Sequence, residues 1–464
     1  MTENVQRFFD FLTKEKRIKI QQQFNSVLVW AALVGFISGL VGTGFWAAVH
    51  QAMQARAQIN QLLAAIPILN WLIPILASAV MVQLAFIVMR RYAPEVSGSG
   101  IPQIGGNLGH LMPLRWERVL PIKFVTGVLS LGGGMLLGLE GPTIQIGGSI
   151  GQMVSQWGEE AKKHRKTLVA AGAGAGLTTA FNAPLAGILF VVEEMRPHFD
   201  YSISSYRAVM IASTVAAITT RLLRGQESAL QITVFDTPPL DSLWIFVLLG
   251  ISLGAIAYLF NWLLIKTLDW FKSLGRFPTR WVGLGVGAFI GYLGWFHSPL
   301  IGGGERLIIW GFNQQQPTTV LLVVFLLRFG LTILCYGSGA PGGIFAPMLA
   351  IATLFSLIVA RTAYAWFPLE IPEPAVLTVA GMGALVAATV RAPLTAIILT
   401  IEMTANYSLI LPLLVTCLAA AFTADGLGGK PIYRVLLKRL LKENQQEEIL
   451  AAIEESNRER SPKK

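Results

Sequence analysis

Long apolar stretches separated by short polar segments run along almost the whole chain. Several of them reach the roughly 20 residues that a helix needs to cross about 30 Å of hydrocarbon. We therefore predict an all-α integral membrane protein with many spans. The stretches occupy residues 27–49, 71–89, 119–137, 168–192, 208–220, 243–265, 281–296, 317–335, 343–360, 375–401 and 409–424.

Composition supports this prediction. Of the 464 residues, 53% are hydrophobic and only 13% are charged, whereas soluble domains carry about 25% charged residues. So little charge cannot cover a water-facing surface of this size. Cys335 and Cys417 both lie in apolar stretches, which favours core packing over a disulfide framework or a thiolate metal site.

The charge distribution predicts an orientation in the membrane. Basic clusters precede the first apolar stretch (Lys14, Lys16, Arg17 and Lys19), follow at Lys162–Lys166, and recur at 430–439. Positive charge marks cytoplasmic segments, so both termini are expected in the cytoplasm. The formal net charge of +10 is then explained by orientation. Nucleic-acid binding is not expected, because these charges are dispersed between spans.

The chain contains an internal repeat. Residues 171–193 read AGAGAGLTTAFNAPLAGILFVVE and residues 380–402 read AGMGALVAATVRAPLTAIILTIE. The A-G-x-G-A start, the central A-P-L and the closing Glu recur at a constant offset of 209 residues (171 to 380 and 193 to 402). Small-residue motifs can recur by chance where membrane helices pack closely.

A second block makes chance a poor explanation. It aligns at an offset of 205 residues (123 to 328 and 142 to 347) and matches polar, glycine and proline positions. Repeats of this kind build secondary transporters, often with inverted topology, and the ion site lies near the midplane between the halves. The matched pairs are Lys123 with Arg328, 132–134 with 337–339, Gly138 with Gly343, and Pro142 with Pro347.

Three Gly/Pro-rich segments interrupt apolar stretches: GSGIP at 98–102, GLEGP at 138–142 and GIFAP at 343–347. Each places glycine before a proline that leads into an apolar run, as at the first turn of a helix. The first turn has free N–H groups and a partial positive charge, so it attracts anions. A single such motif is equally well a kink, but three in a repeated chain favour a small-anion site. Its supporting positions are Gly98, Gly100, Pro102, Gly138, Gly141, Pro142, Gly343 and Pro347.

From about residue 30 to residue 440 the chain resembles the bacterial members of the CLC family of chloride channels and transporters. The motifs that carry the resemblance are the three segments above and Tyr433, in the segment after the last apolar stretch. Their order and spacing make the match specific. The resemblance implies an all-helical inverted-repeat fold with broken and re-entrant helices, homodimers, and one pore in each subunit.

The resemblance also implies chloride ligands. Ser99 matches the central serine, which is associated with chloride preference, and Tyr433 matches the phenol that faces it at the cytoplasmic end of the pathway. The backbone amides of Ile344 and Phe345 would supply the remaining donors. Read alone, Ser99 is also a typical helix cap, and Tyr433 is also a typical interfacial anchor.

Glu140 matches the family's gating glutamate. An ionised carboxylate is itself an anion and can occupy the anion position, whereas a protonated one loses that charge and can swing away. A glutamate in a glycine turn between apolar runs is costly unless it is functional or paired. The equivalent position of the second half holds Phe345, so the repeat itself does not require a charge there.

Glu194 matches the internal proton-accepting glutamate that distinguishes the family's exchangers from many of its channels. Glu193 has a counterpart in Glu402, whereas Glu194 faces Met403. Glu193 and Glu402 are therefore predicted to be structural, at a helix end or a subunit boundary. The alternative for Glu194 is a solvated glutamate near a span end, beside Arg196.

We interpret these residues as a coupled exchange. Chloride leaves its site as Glu140 takes a proton from outside, and the proton passes to Glu194 along transient water and on to the cytoplasm. Because both ions need Glu140, their movements are coupled. No cofactor is expected, and chloride is bound only as the substrate ion.

The sequence departs from the family's pattern near the gate. Leu139 stands where Lys or Arg is usual, and Gln103 and Gly105 stand where bacterial relatives often carry acidic residues. Lys123, on a predicted buried span, is then expected to lack a carboxylate partner. These changes leave the pH dependence and the coupling ratio open.

Three other functions compete with this interpretation. A passive chloride channel of the same fold is the nearest, and Glu194 argues against it. A membrane-embedded enzyme is not supported, because the sequence has no H-E-x-x-H, no G-K-S/T phosphate loop and no nucleophile–base pair. A sodium-coupled carrier would need cation ligands that the motifs do not provide.

The predicted organisation places the protein in the cell (inner) membrane, with chloride, protons, lipid and a second copy of the chain as partners. No cleaved signal peptide and no regulatory domain are expected. The predicted divisions are a cytoplasmic N-terminal segment (1–29), a first membrane repeat (30–225), a connecting loop (226–240), a second membrane repeat (241–430), and the start of a pore-lining helix with a short cytoplasmic tail (431–464).

Overall fold

The computed structural model describes residues 2–63, 65–196, 202–226, 229–230, 232–233, 235–275, 279–313, 316–366 and 373–445, with side chains from residue 26 onward except at positions 67 and 313. The N-terminal basic cluster, part of the connecting loop and the end of the predicted tail lie outside the described side chains.

The first half is a series of helices joined by short turns. Prolines stand in the first turns of α2, α3 and α8, where a missing N–H is tolerated. The helices are α1 (Thr2–Leu62), α2 (Pro67–Tyr92), α3 (Ile101–Leu108), α4 (Trp116–Gly132), α5 (Glu140–Val154), α6 (Glu159–Lys163), α7 (Arg165–Phe181), α8 (Pro184–Glu194) and α9 (Ile203–Arg224).

The second half is helical in the same way. Its helices are α10 (Leu243–Ser273), α11 (Val282–Phe296), α12 (Glu305–Asn313), α13 (Thr318–Gly337), α14 (Phe345–Trp366), α15 (Pro374–Met382), α16 (Ala384–Val390), α17 (Pro393–Thr404), α18 (Ile410–Gly426) and α19 (432–445). No strand occurs among the described residues, apart from a single β-bridge, so the predicted all-α class is confirmed.

Six of the described helical segments are long and apolar enough to cross a membrane. The segment Phe345–Trp366 is the most enclosed, with 72% of its most apolar window buried. Several other helices, including α3, α5 and α8, are shorter than a full span. A helix that starts inside the hydrocarbon needs protein or a cavity around its exposed backbone. The broken and re-entrant helices of the prediction are therefore present.

The two halves are related by an approximate two-fold axis. Gly138 forms an antiparallel bridge with Gly343, its own repeat counterpart, through N–H···O bonds of 2.9 Å and 2.8 Å. A residue that pairs with its own counterpart lies on the symmetry axis, as in a self-complementary interface.

Glu193 and Glu402 show the same symmetry. Glu193 accepts hydrogen bonds from the amides of Leu394 and Thr395 in the first turn of α17, at 3.0 Å and 2.7 Å. Glu402 accepts from the equivalent amides, 185 and 186, in the first turn of α8, at 3.1 Å and 2.9 Å. Each helix thus caps the start of the other, so α8 and α17 run antiparallel, as an inverted repeat requires.

We expect that removing either capping carboxylate lowers stability. Glu193→Ala and Glu402→Ala should each lower the free energy of unfolding by about 1–2 kcal/mol, because each substitution leaves two backbone N–H groups at a helix start without their carboxylate acceptor. The measurement is the thermal midpoint of the purified protein in detergent. The matched control is Glu159→Ala, whose side chain is 86% exposed. Equal midpoints for all three variants would contradict the capping role.

Candidate functional site

The three Gly/Pro-rich segments contact one another in the interior of the protein. They lead directly into the first turns of α3, α5 and α14. A Cβ atom on Gly141 would lie 2.8 Å from the Ser99 carbonyl oxygen and 2.9 Å from the Gly343 Cα. Contact this close requires glycine at position 141. The three helix N-termini predicted from the motifs are therefore brought together.

The turn before α3 needs glycine for a different reason. Gly98 and Gly100 have φ angles of +65° and +86°, in the left-handed region that other residues rarely adopt. The Gly98 carbonyl accepts a hydrogen bond from the Gly342 amide at 3.0 Å. This bond ties the turn to the segment that precedes α14.

Glu140 is the first residue of α5 and is fully buried. Its Oε1 accepts a 2.7 Å hydrogen bond from the backbone amide of Phe345, the first residue of α14. Its Oε2 has no hydrogen-bond partner within the described part of the chain. The carboxylate thus occupies the N-terminus of a helix, where the backbone favours an anion.

Ser99 lies beside this position and is 1% exposed. Its Oγ accepts hydrogen bonds from the Ile101 amide at 3.3 Å and from the Tyr336 hydroxyl at 3.4 Å. The serine thus contacts the start of α3 without being its N-cap, which is Gly100 and has no side-chain cap hydrogen bond.

Tyr336 was not among the residues predicted from the sequence. It is 4% exposed and places its hydroxyl on Ser99. The available signal was a polar aromatic residue that directly precedes the repeated Gly337-Ser338-Gly339 block. Its counterpart 205 residues earlier is Leu131, so the repeat gave no indication of a hydroxyl there.

Tyr433 lies in α19 and is 2% exposed, which disfavours its alternative role as an interfacial anchor. Its ring stacks on that of Phe345, with centroids 6.1 Å apart. Its hydroxyl is buried without a hydrogen-bond partner among the described residues. A buried hydroxyl without a partner is costly and is typical of a site that receives a ligand or water.

Glu194 ends α8 and borders a cavity of about 30 Å³ together with Tyr433 and Arg434. We call this the inner cavity. It has room for about one or two waters. The cation within electrostatic range of Glu194 is Arg434, and not the Arg196 of the alternative reading. The structure thus brings Glu194 and Tyr433 to one cavity.

Lys123 is fully buried on α4. Its Nζ donates 2.7 Å hydrogen bonds to the carbonyls of Val96 and Gly98. Gln103 donates to the carbonyl between them, that of Ser97, at 3.2 Å. The lysine pairs with carbonyl oxygens in place of the carboxylate partner whose absence the sequence indicated, and so it holds the turn before α3.

Comparisons with known proteins identify the family of the chain. The family model described as voltage gated chloride channel matches residues 80–425. The H(+)/Cl(-) exchange transporter ClcA of Vibrio parahaemolyticus is 45% identical over 423 residues, which is 90% of each chain. The ClcA of Citrobacter koseri is 43% identical over 427 residues, covering 91% of this chain and 90% of the relative.

Two solved structures share the fold. A slow cyanobacterial Cl-/H+ antiporter is 54% identical, with a TM-score of 0.88 over 90% of this chain and 99% of that chain. A eukaryotic CLC transporter has a TM-score of 0.78 at 22% identity, over 90% of this chain and 74% of that chain, which supports the fold alone. The chain is an integral membrane protein, and it belongs to the voltage gated chloride channel (CLC) family.

Proposed function

We propose that the protein exchanges chloride for protons across a membrane and that Glu140 is the group through which both ions act. The observation that carries the proposal is the 2.7 Å hydrogen bond from the Phe345 amide to the Glu140 carboxylate. A carboxylate at a helix N-terminus occupies the position that a chloride ion would need. Protonation removes its charge and releases that position, so proton uptake and chloride passage become linked.

The chloride ligands would be the Ser99 and Tyr433 hydroxyls with the amides of Ile344 and Phe345. Ser99 and Tyr433 are both buried, and the Tyr433 hydroxyl is unpartnered among described residues. Neutral donors bind an anion weakly enough for it to leave again. Selectivity for chloride over other small anions is then set by these few donors.

Glu194 would exchange protons with the cytoplasm. It shares the inner cavity with Tyr433, and Tyr433 lies within electrostatic range of both Glu140 and Glu194. A proton released by Glu140 would reach Glu194 along water. At its inner end this route would pass Tyr433, which lines the inner cavity and is also a proposed chloride ligand.

We further propose a homodimer in the cell (inner) membrane with both termini in the cytoplasm. Many large apolar side chains are exposed, including Leu222, Phe296 and Phe422 at 82%, 75% and 72%, and lipid or a second copy would cover them. The exchange would need no cofactor and no enzymatic step. Nucleic acid is not a proposed partner.

The test is ion movement in vesicles. Purified protein would be reconstituted into chloride-loaded vesicles, and external pH and chloride would be recorded together after a chloride gradient is imposed. We expect the chloride gradient to drive protons across the membrane in the direction opposite to chloride. Chloride flow without any proton movement would make the protein a channel and would return Glu194 to a structural role.

Glu194→Ala is expected to abolish gradient-driven proton movement while chloride flow persists. The variant removes the inner proton acceptor but leaves Glu140 and the chloride donors in place. The same pH and chloride recording measures it, with the neighbouring Glu193→Gln variant as a matched control that retains coupling. Unchanged proton movement in Glu194→Ala would exclude Glu194 from the proton route.

A further inference from the structure

A second cavity, unlike the inner cavity, is lined by Glu140 itself. It has a volume of about 60 Å³ and shares no lining residue with the inner cavity. We call it the outer cavity. Because Glu140 is 0% exposed, a proton can reach it only through such an internal space. The volume is enough for a few water molecules.

The walls of the outer cavity are mostly apolar and include Leu139. Besides Glu140, the titratable side chains that line it are His50, Glu305 and Arg306. An arginine keeps its charge in proteins and cannot pass a proton on. His50 and Glu305 are therefore the two lining side chains, other than the gate, that can take up and release protons.

The hydrogen bonding of His50 leaves one ring nitrogen for this task. Its Nδ1 lies 2.9 Å from the Trp46 carbonyl oxygen, and a carbonyl only accepts, so Nδ1 carries the hydrogen. The ring stacks on Trp46 with centroids 3.9 Å apart, which fixes its orientation. Nε2 is then the acceptor that can bind a proton.

Charged groups from two other helices face His50. Glu305 and Arg306 come from α12, and Arg224 comes from α9. Arg56 lies on α1 itself, within electrostatic range of Arg306. Glu305, Arg306 and Arg224 influence how readily the histidine is protonated.

Two of the arginines already have partners. Arg224 lies over the Trp46 ring at 3.9 Å and donates to the Thr179 carbonyl at 3.1 Å. Arg56 donates to the Gly133 carbonyl at 3.2 Å. Glu305 has no salt bridge with any described residue, yet it lies within electrostatic range of both His50 and Glu140. It also lies within electrostatic range of Arg224.

A metal site does not explain this cluster. Among the described residues there is no group of three or more His, Cys, Asp or Glu side chains that could hold a metal ion. The remaining feature is an unpartnered carboxylate oxygen, Oε2 of Glu140, on a residue that lines the same small cavity as a histidine and a glutamate.

We propose that His50 and Glu305 form an outer proton relay that passes protons between the outer solution and Glu140 through water in the outer cavity. A proton binds Glu305 or His50 Nε2, crosses the cavity along water, and is received by the Glu140 carboxylate. The relay groups return to their original state after each transfer, so no other reactant is consumed. This inference rests on the proposed proton-coupled exchange.

The relay makes a specific prediction for His50→Gln. In otherwise native protein the variant should slow coupled turnover by about tenfold at alkaline pH. This effect is smaller than that of removing a direct acid–base group, because water can still carry protons to Glu140. The deficit should shrink as the solution is acidified, since protonation through water alone then suffices. Glu305→Gln should act in the same direction. The measurement is the initial rate of proton and chloride movement in vesicles across a pH series.

The same substitution in a Glu140→Ala background separates proton transfer from chloride passage. Without the gate carboxylate no proton is needed, so His50→Gln should leave chloride flow unchanged there. His297→Gln is the matched control, because its ring packs against Trp310 and does not line the outer cavity. The control should leave coupled turnover unchanged at every pH.

Each outcome has a distinct meaning. Equal slowing by His50→Gln in both backgrounds would show a role in chloride passage or folding and would overturn the relay. No slowing at any pH in the native background would also overturn it. A native protein that moves no protons would instead refute the proposed exchange, and that result comes from the native protein alone, without a His50 variant.

Discussion

Replacing Glu140 with Ala is expected to abolish coupled proton movement and to leave chloride flow that no longer depends on pH. The substitution removes the carboxylate that accepts a hydrogen bond from the Phe345 amide. The N-terminus of that helix then becomes continuously available to chloride. A hydrogen bond to a charged group contributes about 1.5–3 kcal/mol. Removing this competitor should therefore tighten chloride binding by about tenfold or more.

Vesicle recordings of pH and chloride measure the coupling, and calorimetric titration with chloride measures the affinity. Glu140→Gln is the informative companion, since it keeps the size of the side chain but imitates the protonated state. It should share the loss of coupling. Proton movement that survives in both variants would exclude Glu140 as the group common to the two ions.

Replacing Arg328 with Ala is expected to cause the largest loss of stability of any substitution considered. Arg328 is fully buried on α13 and donates to the carbonyls of Leu300, Gly302 and Gly303 at 2.8, 2.8 and 2.7 Å. Each buried carbonyl left unpaired costs about 1–3 kcal/mol. Three such carbonyls place the total loss at about 3 kcal/mol or more.

The thermal midpoint in detergent measures this loss. Lys162→Ala is the control, because it removes a cation whose side chain is 71% exposed. Arg328→Lys should recover part of the loss by restoring some of the donors. A midpoint for Arg328→Ala equal to that of the control would contradict the bracing role.

Arg328 and Lys123 show how far the repeat can be read from sequence. The offset of 205 residues pairs them in the sequence alone, and in the fold both are buried cations that brace a loop through its carbonyls. The carbonyl partners could not be predicted from the sequence, because every residue has a backbone carbonyl group. The sequence indicated only the missing carboxylate.

The glutamates at the ends of α8 and α17 also show what the sequence predicts and what only the fold shows. Their recurrence at an offset of 209 residues marked them as structural, and reciprocal capping confirms a helix-end role. That each caps the other half follows only from the fold. Asn182 and Arg391, also 209 residues apart, both adopt left-handed backbone, with φ of 56° and 69°, and no sequence pattern predicted that.

The sequence by itself determined the membrane-embedded helical class, the repeat and the three helix starts, because hydrophobic length, Gly/Pro motifs and repeated segments can be read directly from the order of residues. The candidate gate came from the resemblance to the family. Only the tertiary structure decided that Tyr336 reaches Ser99, that Glu194 shares a cavity with Tyr433, and that His50 and Glu305 border the gate. Each of these contacts joins helices far apart in the chain, and packing of the two halves around their common axis, which no local pattern records, brings them together.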